Sequence, residues 1–135
     1  MKQVVFSACM VLFAVLNQPA NAQDTRLQSV ISAQMDAFLA GDLDQAFSYA
    51  SPTIQSIFGS PENFGAMVRS GYPMVWRHSD VKFLSSETRD GHVWQDVLIR
   101  DLSGKLHVLE YQMIDGDDGL RINAVRVRPA MDGTA

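Results

Sequence analysis

Cysteine is all but missing from this chain. The one present, Cys9, sits inside the apolar run Val4 to Leu16, which continues past it, and it reads as an ordinary apolar residue of that run. Beyond residue 22 there is no cysteine. A disulfide framework, a thiolate nucleophile and a cysteine-based zinc site are thereby excluded from the remainder. Long apolar stretches are missing too: Val4 to Leu16 falls well short of the roughly 20 residues that a spanning helix needs. Basic clusters are scarce. Eleven Lys and Arg stand against fifteen Asp and Glu, a net charge of −4, so neither nucleic acid nor an anionic membrane surface is expected as a partner. The one basic concentration, Arg121, Arg126 and Arg128, falls on a single expected strand and reads as a solvated edge.

Recognisable catalytic and metal motifs are also lacking. His78, His92 and His107 share no metal-ligand spacing. The stretch "DGDDG" from Asp115 has Arg126 where a calcium loop requires its bidentate glutamate, and it reads as a hairpin turn. "RHSD" at Arg77 sets a histidine, a serine and an acid side by side, but adjacency in sequence is not triad geometry. There is no phosphate-cradling glycine loop and no nucleophile elbow. No catalytic residue, metal or cofactor is therefore assigned outright.

What is present begins with an export signal. Lys2 supplies a charged start, Val4 to Leu16 the apolar run, and Ala20-Asn21-Ala22 a small-x-small end. Residues 1–22 are expected to be a signal peptide cleaved after Ala22, and residues 23–135 a single α+β domain in the periplasm. Export without disulfides fits that compartment, and no membrane association is expected after cleavage.

The domain divides by period. In "DTRLQSVISAQMDAFLAGD" the residues Leu27, Val30, Ile31, Met35, Phe38 and Leu39 recur at helical spacing, with Asp24 or Thr25 as a cap and Gly41 as the left-handed end. Gln34 falls within the apolar stripe, either to bond a neighbouring carbonyl or to face a polar cavity. Asp42 caps a short second helix. Two Ser-Pro pairs, Ser51-Pro52 and Ser60-Pro61, then open further turns that end at Gly59 and near Gly71. Serine accepts a free backbone N–H at a helix start, and proline tolerates the first helical position, so neither serine is expected to be catalytic.

After Pro73 the period changes from about 3.6 to 2. "DVKFLSSETR", "HVWQDVLIRD", "KLHVLEYQMID" and "LRINAVRVR" read as four strands joined by short glycine-bearing turns. Helices first and a meander afterwards predict α+β, with N-terminal helices on a curved four-stranded antiparallel sheet. With Gly104 at a left-handed bulge, Val93, Gln95, Val97 and Ile99 lie opposite Met113, Tyr111, Leu109 and His107. The other face then carries Trp94, Asp96, Glu110 and Gln112, with Asp96 opposite Glu110. A plain four-residue loop would instead pair Gln95 with Glu110 and Trp94 with Tyr111. In the first register Gln34, Gln95 and Tyr111 either form the polar contacts of an apolar ligand cavity or satisfy one another in a filled core.

"AQMDAFLAGDLDQAFSYASP" resembles the opening of nuclear-transport-factor-2-like domains. "SPTIQSIFGSPENFGAMVRSGYP" and "VKF" more closely resemble a family of small exported proteobacterial proteins of undefined function, over roughly residues 27 to 127. Where such families often end on a Trp-Arg-Ile strand, this chain has Leu120-Arg121-Ile122. The resemblance implies a cone-shaped α+β domain able to enclose a pocket, in a fold that hosts enzymes and binding modules alike. It supplies no catalytic residues that match this sequence. The expected function is a non-enzymatic module that binds a small apolar ligand or a protein partner, with a homodimer through Trp94, Leu98 and Val108 on an open sheet face. The alternative is a cofactor-free isomerase or dehydratase acting on a hydrophobic substrate, with Glu110 or Asp96 as base and Tyr111 as oxyanion donor.

Overall fold

The computed structural model describes residues 11–129, with side chains from 25 to 128. The N-terminal part of the expected signal peptide, residues 1–10, lies outside the described residues, as do residues 130–135 and the side chains around the expected cleavage site. Five helices precede four strands: α1 Val11–Ala40, α2 Leu43–Ser48, α3 Pro52–Phe58, α4 Pro61–Gly71 and α5 Pro73–Trp76, then β1 Asp80–Arg89, β2 His92–Arg100, β3 Leu106–Gly116 and β4 Gly119–Pro129. The strands form one antiparallel open sheet in the order β1-β2-β3-β4. The molecule is thus α+β, with its helices gathered before its sheet.

Local chemistry accounts for most boundaries. Gly41, at φ 75°, closes α1 with a paired motif: its N–H donates to Phe38 O and the Asp42 N–H to Ala37 O. Asp42 then caps α2 by accepting from the Gln45 N–H. Ser51 and Ser60 cap α3 and α4, each with proline at the start, and Gly59 ends α3 at φ 79°. One boundary departs from the reading. Helix α1 runs unbroken from Val11 through residues 24 and 25, so a cap at Asp24 or Thr25 requires the chain to be cut ahead of it. One element was not foreseen: α5 is a single turn with no side-chain cap, and nothing in "YPMVWR" announces it beyond the proline.

The strand register is the one set by Gly104, which stands at φ 93°: Gln95 pairs with Tyr111 and Asp96 with Glu110. Alternation then divides the sheet into two faces. Val97, Ile99, Leu109, Tyr111 and Met113 point toward the helices and join Leu27, Ile31 and Phe38 of α1 in the core. Each such side chain contributes about 1.5–3 kcal/mol when fully buried. Backbone bonds lock the helical layer onto β4: Ile122 N donates to Tyr49 O and Ser51 N to Ile122 O.

The outward face differs from the open apolar surface expected for it. Trp94 is buried, because the guanidinium groups of Arg89 and Arg126 each lie 4.6 Å from its ring. Arg126 and Arg128 are likewise not a free solvated edge. They reach across the sheet to Glu110 and Asp96.

Candidate ligand cavity

Tyr111 occupies the middle of β3, paired on its inward face with Gln95 of β2 and with Val125 of β4. It is fully buried, and its hydroxyl meets no hydrogen-bond partner among the described residues. A buried hydroxyl left unpaired costs about 1–3 kcal/mol, so this atom calls for an explanation. It lies in the wall of a cavity of about 310 Å³ between the helices and the sheet. Burial, and secondarily the neighbouring Tyr72, push the phenol above its ordinary pKa of 10.0. Tyr111 is therefore a neutral hydrogen-bonding group at any physiological pH.

The other polar residues of the cavity wall already have partners. Gln34 projects from α1 and donates from Nε2 to Ala46 O at 3.1 Å, so it both satisfies a neighbouring carbonyl and lines the cavity. Tyr72 donates to Val125 O at 3.2 Å. Asn123 accepts from Ser51 Oγ at 2.8 Å and donates to Gln112 Oε1 at 2.7 Å. The rest of the wall is apolar, chiefly Phe38, Phe64, Val68 and Ile122, and among the described residues no Asp, Glu, His, Lys or Arg lines it. Of the polar atoms in this wall, the Tyr111 hydroxyl is the one that is fully buried with no partner among the described residues. Such a surface suits a neutral, mostly hydrocarbon molecule bearing one oxygen.

The remaining sequence-derived candidates lie elsewhere. Gln95 does not line the cavity. Its Nε2 donates to Leu84 O, Ser85 O and Asp96 O, where β1 shifts register between Phe83 and Ser86. The bulge frees carbonyls from the ladder, and the amide gathers them in. Gln95 Oε1 is itself buried without a partner. Asp96 and Glu110 stand on the outward face, separated from the cavity by the sheet. Successive residues of a strand point to opposite sides, so Glu110 cannot work beside Tyr111 on one substrate. Glu110 lies 3.4 Å from Arg128, 3.7 Å from Arg126 and 3.8 Å from Arg89, while Asp96 lies 3.2 Å from Arg128. These cations offset the repulsion expected of two acids placed opposite each other.

Sequence reasoning passed over Tyr72, Asn123 and the second role of Ser51. Tyr72 and Asn123 enter the wall from a helix end and from an edge strand, whose positions depend on long-range packing. Ser51 was legible as a cap, and its hydroxyl does accept from Ile54 N. That the same hydroxyl also donates to β4 leaves no trace in the local sequence. Among the described residues, no three His, Cys, Asp or Glu side chains come together as a metal site, and no helix is long and apolar enough to cross a membrane.

A family model described as a domain of unknown function, DUF4864, matches residues 20–135. The chain belongs to this family. No curated protein and no solved structure matches the chain.

Proposed function

We propose that this DUF4864 protein is an exported, non-enzymatic carrier or sensor of a small neutral ligand, held between its helices and its sheet. The observation that carries the reading is the buried, unpartnered Tyr111 hydroxyl in an otherwise apolar cavity. An engineered cavity of about 150 Å³ takes a benzene molecule. At about 310 Å³, this one has room for about twice as many heavy atoms, near twelve. The ligand would be largely hydrocarbon and would place a carbonyl or hydroxyl oxygen against Tyr111. An ionised ligand is disfavoured, since no wall residue offsets its charge and desolvation would cost several kcal/mol. The helical layer over a cone-like sheet is the arrangement that the resemblance to nuclear-transport-factor-2-like domains implies. Export with cleavage after Ala22 is supported by the charged start, the apolar run and the Ala-Asn-Ala end.

Two probes of equal length test the binding reading. In thermal melts at pH 8, 1-decanol is expected to raise the melting temperature of the domain in proportion to its concentration, and decanoate to have little effect. Tyr111→Phe is expected to reduce the decanol shift. Equal shifts from both probes, or none from decanol, would remove the neutral-ligand reading.

A further inference from the structure

A second concave surface, of about 440 Å³, lies beside Trp76, between α4, α5 and the β2–β3 turn. Its walls include Arg69, Arg77, Met74, Leu102 and His107. Arg26, Arg89, Arg121, Arg126 and Arg128 each reach a carboxylate. Arg69 and Arg77 reach none among the described residues. Both instead lie against one indole, with their guanidinium carbons 5.9 Å and 5.1 Å from the Trp76 ring centre, within cation–π range.

Arg77 is held rigidly. Its Nη1 donates to Phe38 O at 3.0 Å and to Trp76 O at 2.7 Å, which leaves the Nε and Nη2 donors uncommitted among the described residues. Asp101, the one acid in this wall, is already engaged. Its Oδ1 accepts from Ser103 N, Ser103 Oγ and Lys105 N, and its Oδ2 lies 2.8 Å from His107 Nε2. The depression therefore offers two guanidinium groups that form no direct ion pair among the described residues, beside an aromatic ring and apolar side chains, while the Asp101 carboxylate of the same wall is held by its own hydrogen bonds. A guanidinium fixed in this way is preorganised for a carboxylate, which it can bind through two parallel bonds.

We infer that this depression is a second binding site, for a small aromatic or apolar carboxylate whose charge lies at Arg69 and Arg77 and whose body lies beside Trp76 against the apolar side chains of the wall. Its walls share no residue with those of the neutral cavity. The chain's two tryptophans give the test its own control. Trp94 stands on the outward face of the sheet under Arg89 and Arg126, away from this depression. In ¹H–¹⁵N spectra, benzoate is expected to shift the Trp76 indole peak saturably and to leave the Trp94 peak in place, while benzyl alcohol shifts neither. Arg69→Gln, at an exposed position with no hydrogen bond among the described residues, is expected to weaken benzoate about tenfold, and Arg26→Gln, whose side chain lies against Asp115 outside this depression, to leave it unchanged. The spectrum itself reports that each variant is folded. The site is refuted if benzoate fails to move Trp76 at tens of millimolar, if benzyl alcohol moves it equally, or if Arg69→Gln binds as well as the parent.

Discussion

A phenol buried without a partner is a cost that the fold carries until something occupies the space beside it. At the scale of single residues this makes Tyr111 the most informative position. Tyr111→Phe keeps the ring and removes the hydroxyl. The ligand-free variant is expected to be about 1 kcal/mol more stable than the parent and to melt roughly 4 °C higher, a gain in stability at the expense of binding. The same residue shapes the alkaline limb. Its pKa is raised on folding, so the unfolded chain releases the proton near pH 10 while the folded chain retains it. The associated stability is fully present below pH 10 and falls as the pH rises further. Urea midpoints measured at pH 8 and pH 11 should therefore diverge in the parent and draw together in Tyr111→Phe. Tyr111 was legible because a glycine suited to a left-handed turn fixed the register, and the register fixed the face. The use made of Gln95 was not legible. The bulge it serves lies in "FLSS", which contains neither glycine nor proline to mark it. The burial of Glu110 was equally hidden. Its covering arginines come from both edge strands, so the arrangement exists only once all four strands are paired.

At the scale of elements, the two Ser-Pro pairs look alike in sequence and differ in structure. Ser60 caps α4 on the surface and, among the described residues, its hydroxyl accepts only from Asn63 N. Ser51 caps α3, is fully buried, and also donates to Asn123 on β4. Ser60→Ala is expected to cost about 1 kcal/mol, the usual loss of a cap. Ser51→Ala should cost about 2 kcal/mol, the cap plus a buried inter-element bond, and chemical denaturation of the two variants side by side measures the difference. Helix α3 itself buries none of its residues, although Ile54 and Phe58 line the cavity. Few apolar contacts give a low local opening energy, so α3 should exchange its amide hydrogens far faster than β2 and β3. Saturation with 1-decanol should slow α3 more than any other helix, as hydrogen-exchange mass spectrometry would record. The helix grammar of this region was readable almost residue by residue, because caps and terminators act locally. The one-turn helix at Pro73–Trp76 was not, because Met74 and Val75 are buried by tertiary packing and no side chain caps its start.

For the whole molecule, the sheet acts as a partition. On one side, helices and inward strand residues line a cavity with no charged group among the described residues. On the other, arginines from β1 and β4 cover Trp94 and meet the acids of β2 and β3. This division follows from alternation along the strands, and it keeps ionised groups out of the space where Tyr111 waits for a partner. The central claim is that a neutral small molecule occupies that space, and native mass spectrometry of the protein purified gently from its own host tests it most directly. The account predicts a subunit beginning at Gln23 that carries an uncharged small-molecule mass, with that mass lost or much reduced in Tyr111→Phe. A wild-type protein that is consistently empty, or a bound mass retained undiminished by Tyr111→Phe, would contradict it.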